Sequence, residues 1–456
     1  MSTDTIAAIS TGGTNSGINI IRISGENSEE IISKIFTSYK KLDHQRIIYG
    51  KIIDPENLEV VDEVLVSCFK APNSFTGENV YEINTHGGRR VTLDVLDLVL
   101  KYGARIAEPG EFSKRAFLNG KMDLSKAEAI IDVINAKTKA QKEIAMAQLE
   151  GELEKNIKEI RNSLVELMAQ IEVNIDYPEY DYDELSKNAL KSILKRNKDK
   201  IDSLIKTRDE GKYLKEGIDL AIIGGTNAGK SSLLNALAKE DRAIVTDIEG
   251  TTRDVIEESI VIGNMLVNIS DTAGLRDTDD VVEAIGIKKS IEIIDKTDLV
   301  IYMIDSTKGC TESDALKICE IQKKNIPLII CLNKIDLVNS KQTYPECVKN
   351  NTNTVEISAV TGEGLDVLKG MIEEMFNVRS FDKKQDKLVV NQRHKMYLEN
   401  AKKSLNDAIK SVDDDEGIDI SAILITEAIN ALGSVTGEST SEDVVNKIFE
   451  KFCLGK

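Results

Sequence analysis

The stretch Gly224–Asn235, GGTNAGKSSLLN, follows the apolar run LAII and decides the architecture of this chain. The run has the length of a buried strand, the glycines mark a tight turn, and the segment after Lys230 opens a helix. Gly224, four residues, then Gly229-Lys230-Ser231 form a Walker A loop. Backbone N–H groups in such a loop face phosphates, its lysine reaches the β and γ oxygens, and its serine hydroxyl ligates Mg²⁺. Asn227, Ala228 and Ser232 belong to the same cradle. The loop by itself serves ATP or GTP.

Three downstream motifs choose between them. DTAG, at Asp271, Thr272, Ala273 and Gly274, follows MLVNIS, where a carboxylate near Mg²⁺ and an amide for the γ-phosphate belong. NKID, with Asn333, Lys334 and Asp336, follows IPLIICL, so Asp336 falls at the carboxyl edge of a sheet, where open sheets bind ligands. A carboxylate there accepts from guanine N1–H and the 2-amino group together, a pair that adenine lacks. ISA, with Ser358 and Ala359, adds a further base-binding loop. The ordered set predicts a guanine-nucleotide domain.

Hydrolysis needs a group to orient water. Ras-type enzymes use a glutamine just after the DxxG glycine, and Leu275 stands there instead. The following LRDTDDVVEAIG offers Asp277, Asp279, Asp280 and Glu283, and spacing alone does not choose among them.

At 456 residues the chain predicts two or three domains. Residues 1–119 alternate β-rich runs (TIAAIS, GINIIRIS, RIIYGKII, EVLVSCFK, VYEINTHGG) with turns and one helix near Arg90–Lys101, an α+β domain. Leu149, Leu153, Ile157, Ile160, Leu164, Leu167 and Ile171 then form a helical apolar stripe, broken at Pro178 in DYPEYDYDE. A helical stretch 120–216, a doubly wound α/β domain 217–379 and a second helical stretch 380–456 complete the expected order, with the two helical parts packed as one bundle.

The N-terminus lacks the basic start of a signal peptide, and the apolar runs are of strand length, so a soluble cytoplasmic chain without membrane contact is expected. Six cysteines without CxxC spacing and only three histidines argue against disulfide, zinc or His-based sites. A net charge of −18 repels RNA overall, so any RNA contact requires a local basic patch or a helper protein.

TNAGKSSLLNAL, AIVTDIEGTTRDV, DTAGLRDTDDVVEAIGI, SFTGENVYEINTHGG, EPGEFSKRAFLNGKMDLSKAEAI and the terminal FCLGK together resemble the tRNA uridine-modification GTPase family MnmE (TrmE). The resemblance runs over nearly the whole chain. It implies an N-terminal tetrahydrofolate-binding and dimerisation domain, a discontinuous helical domain, and an inserted Ras-like P-loop GTPase domain. It also implies a homodimer, a flavin-dependent MnmG-like partner in a heterotetramer, and K⁺-dependent GTP hydrolysis. The expected product is an aminomethyl or carboxymethylaminomethyl group at C5 of the wobble uridine, position 34, in certain tRNAs.

Residue by residue, the resemblance places the catalytic glutamate at Glu283, K⁺ ligands at Asn227, Thr246, Ile248 and Thr251, and Mg²⁺ ligands at Ser231 and Thr252. Asp247, Glu249 and Gly250 complete the GTP or GDP contacts. A 5-formyl- or methylene-tetrahydrofolate is expected on Arg22, Glu82, Lys121 and Lys456, with FAD entering only through the partner. The P-loop departs from the family in reading Gly-Gly-Thr-Asn where Arg-Pro commonly precedes the Asn.

Two rivals fit less of the chain. A Der-type ribosome-assembly GTPase needs a second GTPase domain, and an Era-type one needs a KH domain with its GXXG loop after Phe376; the sequence shows neither. The other rival is a nucleotide-switched scaffold that binds no folate. At the chain's end, Val444, Val445, Ile448 and Phe452 recur at helical spacing, so the last helix is expected to dock, with Gly455 turning Lys456 toward a neighbouring site.

Overall fold

The computed structural model describes residues 4–12, 15–176, 187–241, 258–270, 297–338, 344–349, 351–376, 388–414, 416–452 and 455. They form two compact units, one of residues Met1–Ile134, Gln148–Ile205 and Gln392–Lys456, the other of Asn135–Ala147 and Lys206–Asn391.

The first unit contains a six-stranded sheet in the order β3-β4-β5-β2-β1-β6, with β1 Thr5–Ile9, β2 Ile18–Ser24, β3 Arg46–Ile53, β4 Val60–Phe69, β5 Val80–His86 and β6 Ala104–Ile106. Alternation sends Ile21 and Ile23 of β2, Tyr81 and Ile83 of β5, and Val64 and Val66 of β4 to one face. There they meet Ile31, Ile32 and Ile35 of α1 (Ser28–Ile35) and Val95 and Val99 of α2 (Arg89–Lys101). The residues between, Arg22 and Glu82 among them, fall on the opposite face. The expectation of one helix here is corrected: α1 and α3 (Glu111–Leu118) accompany α2. Both are only eight residues long, too short to reveal a helical period amid strands.

The helical part of this unit is built on α6 (Glu152–Asp176), where Leu153, Ile157, Ile160, Leu164, Leu167 and Ile171 are all buried. Each such side chain contributes roughly 1.5–3 kcal/mol. Leu149 does not belong to this helix; it ends α5 (Lys139–Leu149), and Gly151 at φ +88° separates the two. The break expected at Pro178 lies outside the described residues. α12 (Gln392–Asp413) and α13 (Ile418–Thr436) return to this unit packed on each other, α13 also against α6, with Lys402 of α12 pairing with Asp202 of α7 (Lys187–Glu216) at 2.5 Å. α13 corrects a further expectation, being long and apolar enough to cross a membrane by length and composition. It buries Ile425, Ala428 and Leu432 and packs on α12 and α6, as a core helix does.

α14 (Glu442–Phe449) docks as its spacing predicts. Val445, Phe449 and Phe452 are buried against Leu124 and Ala127 of α4 (Leu124–Asn135).

The second unit holds the sheet β12-β11-β10-β7-β9-β8. Its strands are β7 Ile218–Gly224, β8 Glu258–Ile262, β9 Met265–Ser270, β10 Leu299–Asp305, β11 Leu328–Asn333 and β12 Thr354–Glu356. All pairs are parallel except β8 with β9, a hairpin at the sheet's edge. β10 and β11 are buried along their whole length because both faces are covered. On one face Ile301, Met303, Ile329 and Cys331 meet Leu233 and Leu237 of α8 (Lys230–Asp241), together with Leu368 and Ile372 of α11 (Leu365–Met375). On the other, Tyr302, Ile304 and Ile330 meet Ile318 and Ile321 of α9 (Glu312–Lys323) and Val348 of the short α10 (Glu346–Lys349).

Candidate functional site

Parallel strands end at one edge, so the turns after β7, β10, β11 and β12 gather there. Gly224 closes β7 against β10; a Cβ on it would lie 2.4 Å from the Met303 carbonyl oxygen. The loop then turns through Asn227 at φ 62°, a left-handed conformation that asparagine tolerates. Lys230 folds back over the loop, its Nζ donating to the Gly224 and Gly225 carbonyls at 2.9 and 3.0 Å. Ser231 and Ser232 are exposed on the first turn of α8.

The base side of the edge is tied to this loop by Asn333. Its Nδ2 donates to the Ala228 carbonyl at 2.8 Å, and its Oδ1 accepts from the Ala359 amide at 3.0 Å. The approach is so close that a Cβ at Gly229, whose φ is +101°, would sit 2.2 Å from Nδ2. Lys334 follows in the left-handed region and pairs with Asp305 at 2.6 Å. Asp336 is exposed on the next turn, Ile335–Leu337, and Ser358 lies buried beside Ala359.

The structure therefore gathers Asn227, Ala228, Gly229, Lys230, Ser231, Ser232, Asn333, Lys334, Asp336, Ser358 and Ala359 at one sheet edge. Thr246, Asp247, Ile248, Glu249, Gly250, Thr251, Thr252, Asp271, Thr272, Ala273, Gly274 and Glu283 lie outside the described residues. Asp305 was missed by the sequence reading. Its signal is a single carboxylate ending the otherwise apolar LVIYMID.

In the first unit, Arg22 and Glu82 are cross-strand neighbours on β2 and β5. They form an ion pair at 2.9 Å. The Arg22 guanidinium lies between two rings, 5.5 Å from Phe75 and 5.7 Å from Phe112. The chain's end arrives at the same place. Gly455 at φ +88° packs so close to β1 that a Cβ would lie 2.3 Å from the Ile9 carbonyl. Its own carbonyl accepts from Ser10 Oγ at 3.0 Å and from Arg22 Nη1 at 3.4 Å. Lys121 instead donates to the Pro72 carbonyl at 2.9 Å, on the loop that carries Phe75. Lys456 and Cys453 lie outside the described residues.

An ionic network centred on the buried Arg115 and Glu111 supports this loop. Arg115 pairs with Asp4, Glu78 and Glu111, while Ser24 Oγ donates to Glu78 and lies 2.7 Å from Thr76 Oγ1. Burial works to raise the Glu111 carboxyl, but hydrogen bonds from Arg105, the Glu108 amide and Arg115 outweigh it and hold it low. Phe75, Phe112 and Arg115 lie within SFTGEN and EPGEFSKRAF, but only the assembled fold brings them around Arg22 and Glu78.

Residues 5–121 match the family model described as the GTP-binding protein TrmE N-terminus, and residues 124–453 match the MnmE helical domain. The chain is 47% identical over 457 residues to the tRNA modification GTPase MnmE of Acetivibrio thermocellus, covering 99% of each. It is 45% identical over 461 residues to the same-named protein of Thermoanaerobacter pseudethanolicus, again covering 99% of each. Among solved structures, the G domain of the T. maritima FeoB iron transporter is 29% identical, with a TM-score of 0.26, over 34% of this chain and 97% of that one.

Proposed function

The chain belongs to the tRNA modification GTPase MnmE family, and from that premise we propose that it hydrolyses GTP to drive modification of the wobble uridine of certain tRNAs. The carrying observation is Asn333, which joins the phosphate-loop carbonyl of Ala228 to the base-loop amide of Ala359. One side chain thus sets the spacing between phosphate and base, as a nucleotide with a fixed ribose length requires.

In this reading Lys230 leaves the Gly224 and Gly225 carbonyls for the β and γ oxygens, and Asp336 accepts from the guanine edge. Ser231 and Thr252 would hold Mg²⁺, while Asn227, Thr246, Ile248 and Thr251 would hold K⁺. Asn227 and Ser231 suit this because both are exposed oxygen donors beside the loop amides. Bound there, the two cations would neutralise the negative charge that develops on the phosphate oxygens. Glu283 orients the attacking water, and the remaining nucleotide contacts come from Asp247, Glu249, Gly250, Asp271, Thr272, Ala273 and Gly274.

The proposed folate site is formed by Arg22, Glu82, Lys121 and Lys456. It is supported by a cation, a carboxylate and two aromatic rings meeting beside the chain's end. That chemistry suits a ligand with a glutamyl tail and a pterin ring. A bound 5-formyl- or methylene-tetrahydrofolate supplies the one-carbon unit. Because Arg22 and Glu82 hold each other, the ligand must replace their pair with contacts of its own. The MnmG-like partner brings the flavin, and glycine or ammonium brings the nitrogen.

Exposed Ile47, Tyr49 and Leu65 on the open face of β3 and β4 support a homodimer. For tRNA, Lys195, Arg196 and Lys200 on α7 line a groove of about 460 Å³ together with Asp199, Lys200 also pairing with Glu159, which leaves Lys195 and Arg196 as the cations that would face phosphates. The proposed setting is the cytoplasm. Equilibrium dialysis with a reduced folate tests the reading against a folate-free scaffold: saturable binding at one site per chain is expected, and no binding overturns the folate assignment.

A further inference from the structure

We propose that Asp305 is a positioning residue for guanine recognition, acting through Lys334 on the turn that carries Asp336. The proposal rests on the reading of this sheet edge as a guanine-nucleotide site.

Asp305 is the last residue of β10 and the register partner of Asn333, the last residue of β11. Backbone bonding already joins the two strand ends, the Ser306 amide donating to the Asn333 carbonyl at 2.9 Å. The sheet therefore does not need the Asp305 side chain to close. That side chain is committed elsewhere. Its Oδ1 accepts from the Thr307 amide at 3.0 Å and from Thr307 Oγ1 at 2.6 Å, which fixes the carboxylate plane. Its Oδ2 then lies 2.6 Å from Lys334 Nζ. Burial works to raise this carboxyl, but Lys334 and Thr307 outweigh it and keep it low, so it remains the ionised partner.

Lys334 is where such a fixture matters. With φ 68° and ψ 35° it occupies a region unfavourable to residues bearing a Cβ. Its carbonyl accepts from the Leu337 amide at 3.0 Å and so opens the turn on which Asp336 sits. A charge-assisted bond between buried or half-buried groups is stronger than its exposed counterpart. Here it holds the lysine in its strained conformation before any nucleotide arrives. Asp336 is itself exposed, so the orientation of its carboxylate depends on how firmly that turn is set. Asp305 thus contributes to base reading from the end of β10, the strand beside the one that leads into NKID.

The test uses the full chain and a fluorescent GDP analogue. Asp305→Asn keeps the shape and removes the charge, and is expected to weaken binding about tenfold, while Asp305→Glu retains at least a third of wild-type affinity. In a Lys334→Ala background the Asp305→Asn change is expected to add less than a twofold further loss, since the side chain it acts through is already gone. Asp305→Asn binding within twofold of wild type would overturn the proposal. So would equal losses in both backgrounds, or a loss that Asp305→Glu shares in full, since each marks a general structural role. Failure of the unsubstituted chain to bind the analogue would instead overturn the guanine-site reading itself.

Discussion

Asn333 and Ala228 stand 105 residues apart in the chain and 2.8 Å apart in space, the asparagine amide donating to the alanine carbonyl. The same side chain accepts from Ala359, so three separate loops share one buried group. Asn333→Ala strips a partner from the Ala228 carbonyl and another from the Ala359 amide. Each buried group left unpaired costs about 1–3 kcal/mol. GTP affinity is expected to fall at least tenfold, measured by titration with a fluorescent analogue.

Base choice should follow Asp336. Replacing it with Asn removes a charged acceptor worth about 1.5–3 kcal/mol. GTP binding should weaken at least tenfold and xanthosine nucleotides should gain relative to guanosine ones. Unchanged GTP binding in the competition assay would sink the guanine assignment.

Turnover should depend on Glu283 and on K⁺, two expectations that stem from the family resemblance; Glu283 lies outside the described residues, while Asn227 of the K⁺ set lies on the phosphate loop. Glu283→Ala is expected to bind GTP normally and hydrolyse it at least tenfold more slowly. Exchanging K⁺ for Na⁺ should cause a comparable loss, an arginine-finger-like charge being worth up to about 10³–10⁵ in rate. Equal phosphate release in KCl and NaCl would remove the cation from the mechanism.

Deleting Cys453–Lys456 takes away the Gly455 carbonyl that Ser10 and Arg22 hold. α14 keeps its own contacts through Val445, Phe449 and Phe452, so the fold should persist. GTP hydrolysis is expected to stay within about a factor of three, because the tail packs on the first unit's sheet while the phosphate and base loops are built by the second unit's own strands. tRNA modification in cell extract should be lost. Wild-type modification by the truncated chain would reduce the tail to a dispensable end.

Acid stability should follow Glu128, which accepts from Arg393 Nε at 2.8 Å and Nη2 at 3.0 Å and pairs with buried His394 at 2.8 Å. Burial works to raise this carboxyl, but His394 and Arg393 outweigh it and hold it far below its ordinary 4.5. A depressed carboxyl contributes stability above its unfolded value and loses it as pH falls through the folded one. Urea unfolding monitored by circular dichroism should therefore show this contribution intact from pH 7 to 5 and declining below about 4.5. Glu128→Ala leaves Arg393 and His394 without their anion, and should cost about 3–5 kcal/mol at pH 7 while flattening the acid limb.

What the sequence determined by itself was local. The glycine turn after LAII, the apolar lengths of β10 and β11, and the six buried positions of α6 each follow from neighbours within a few residues. Backbone sterics and burial periodicity act at that range. Short elements escaped: α1 carries Ile31, Ile32 and Ile35 on one face, but eight residues give a helical period too little room to stand out from the flanking strands. Tertiary structure alone decided which charges meet. Nothing near Arg22 names Glu82, sixty residues on, as its partner, nor Phe75 and Phe112 as the rings around it. Nothing near Asp305 names Lys334. Periodicity encodes which face of an element is buried, whereas the partner a side chain finds depends on strand order and register, which are set by all the elements packing together.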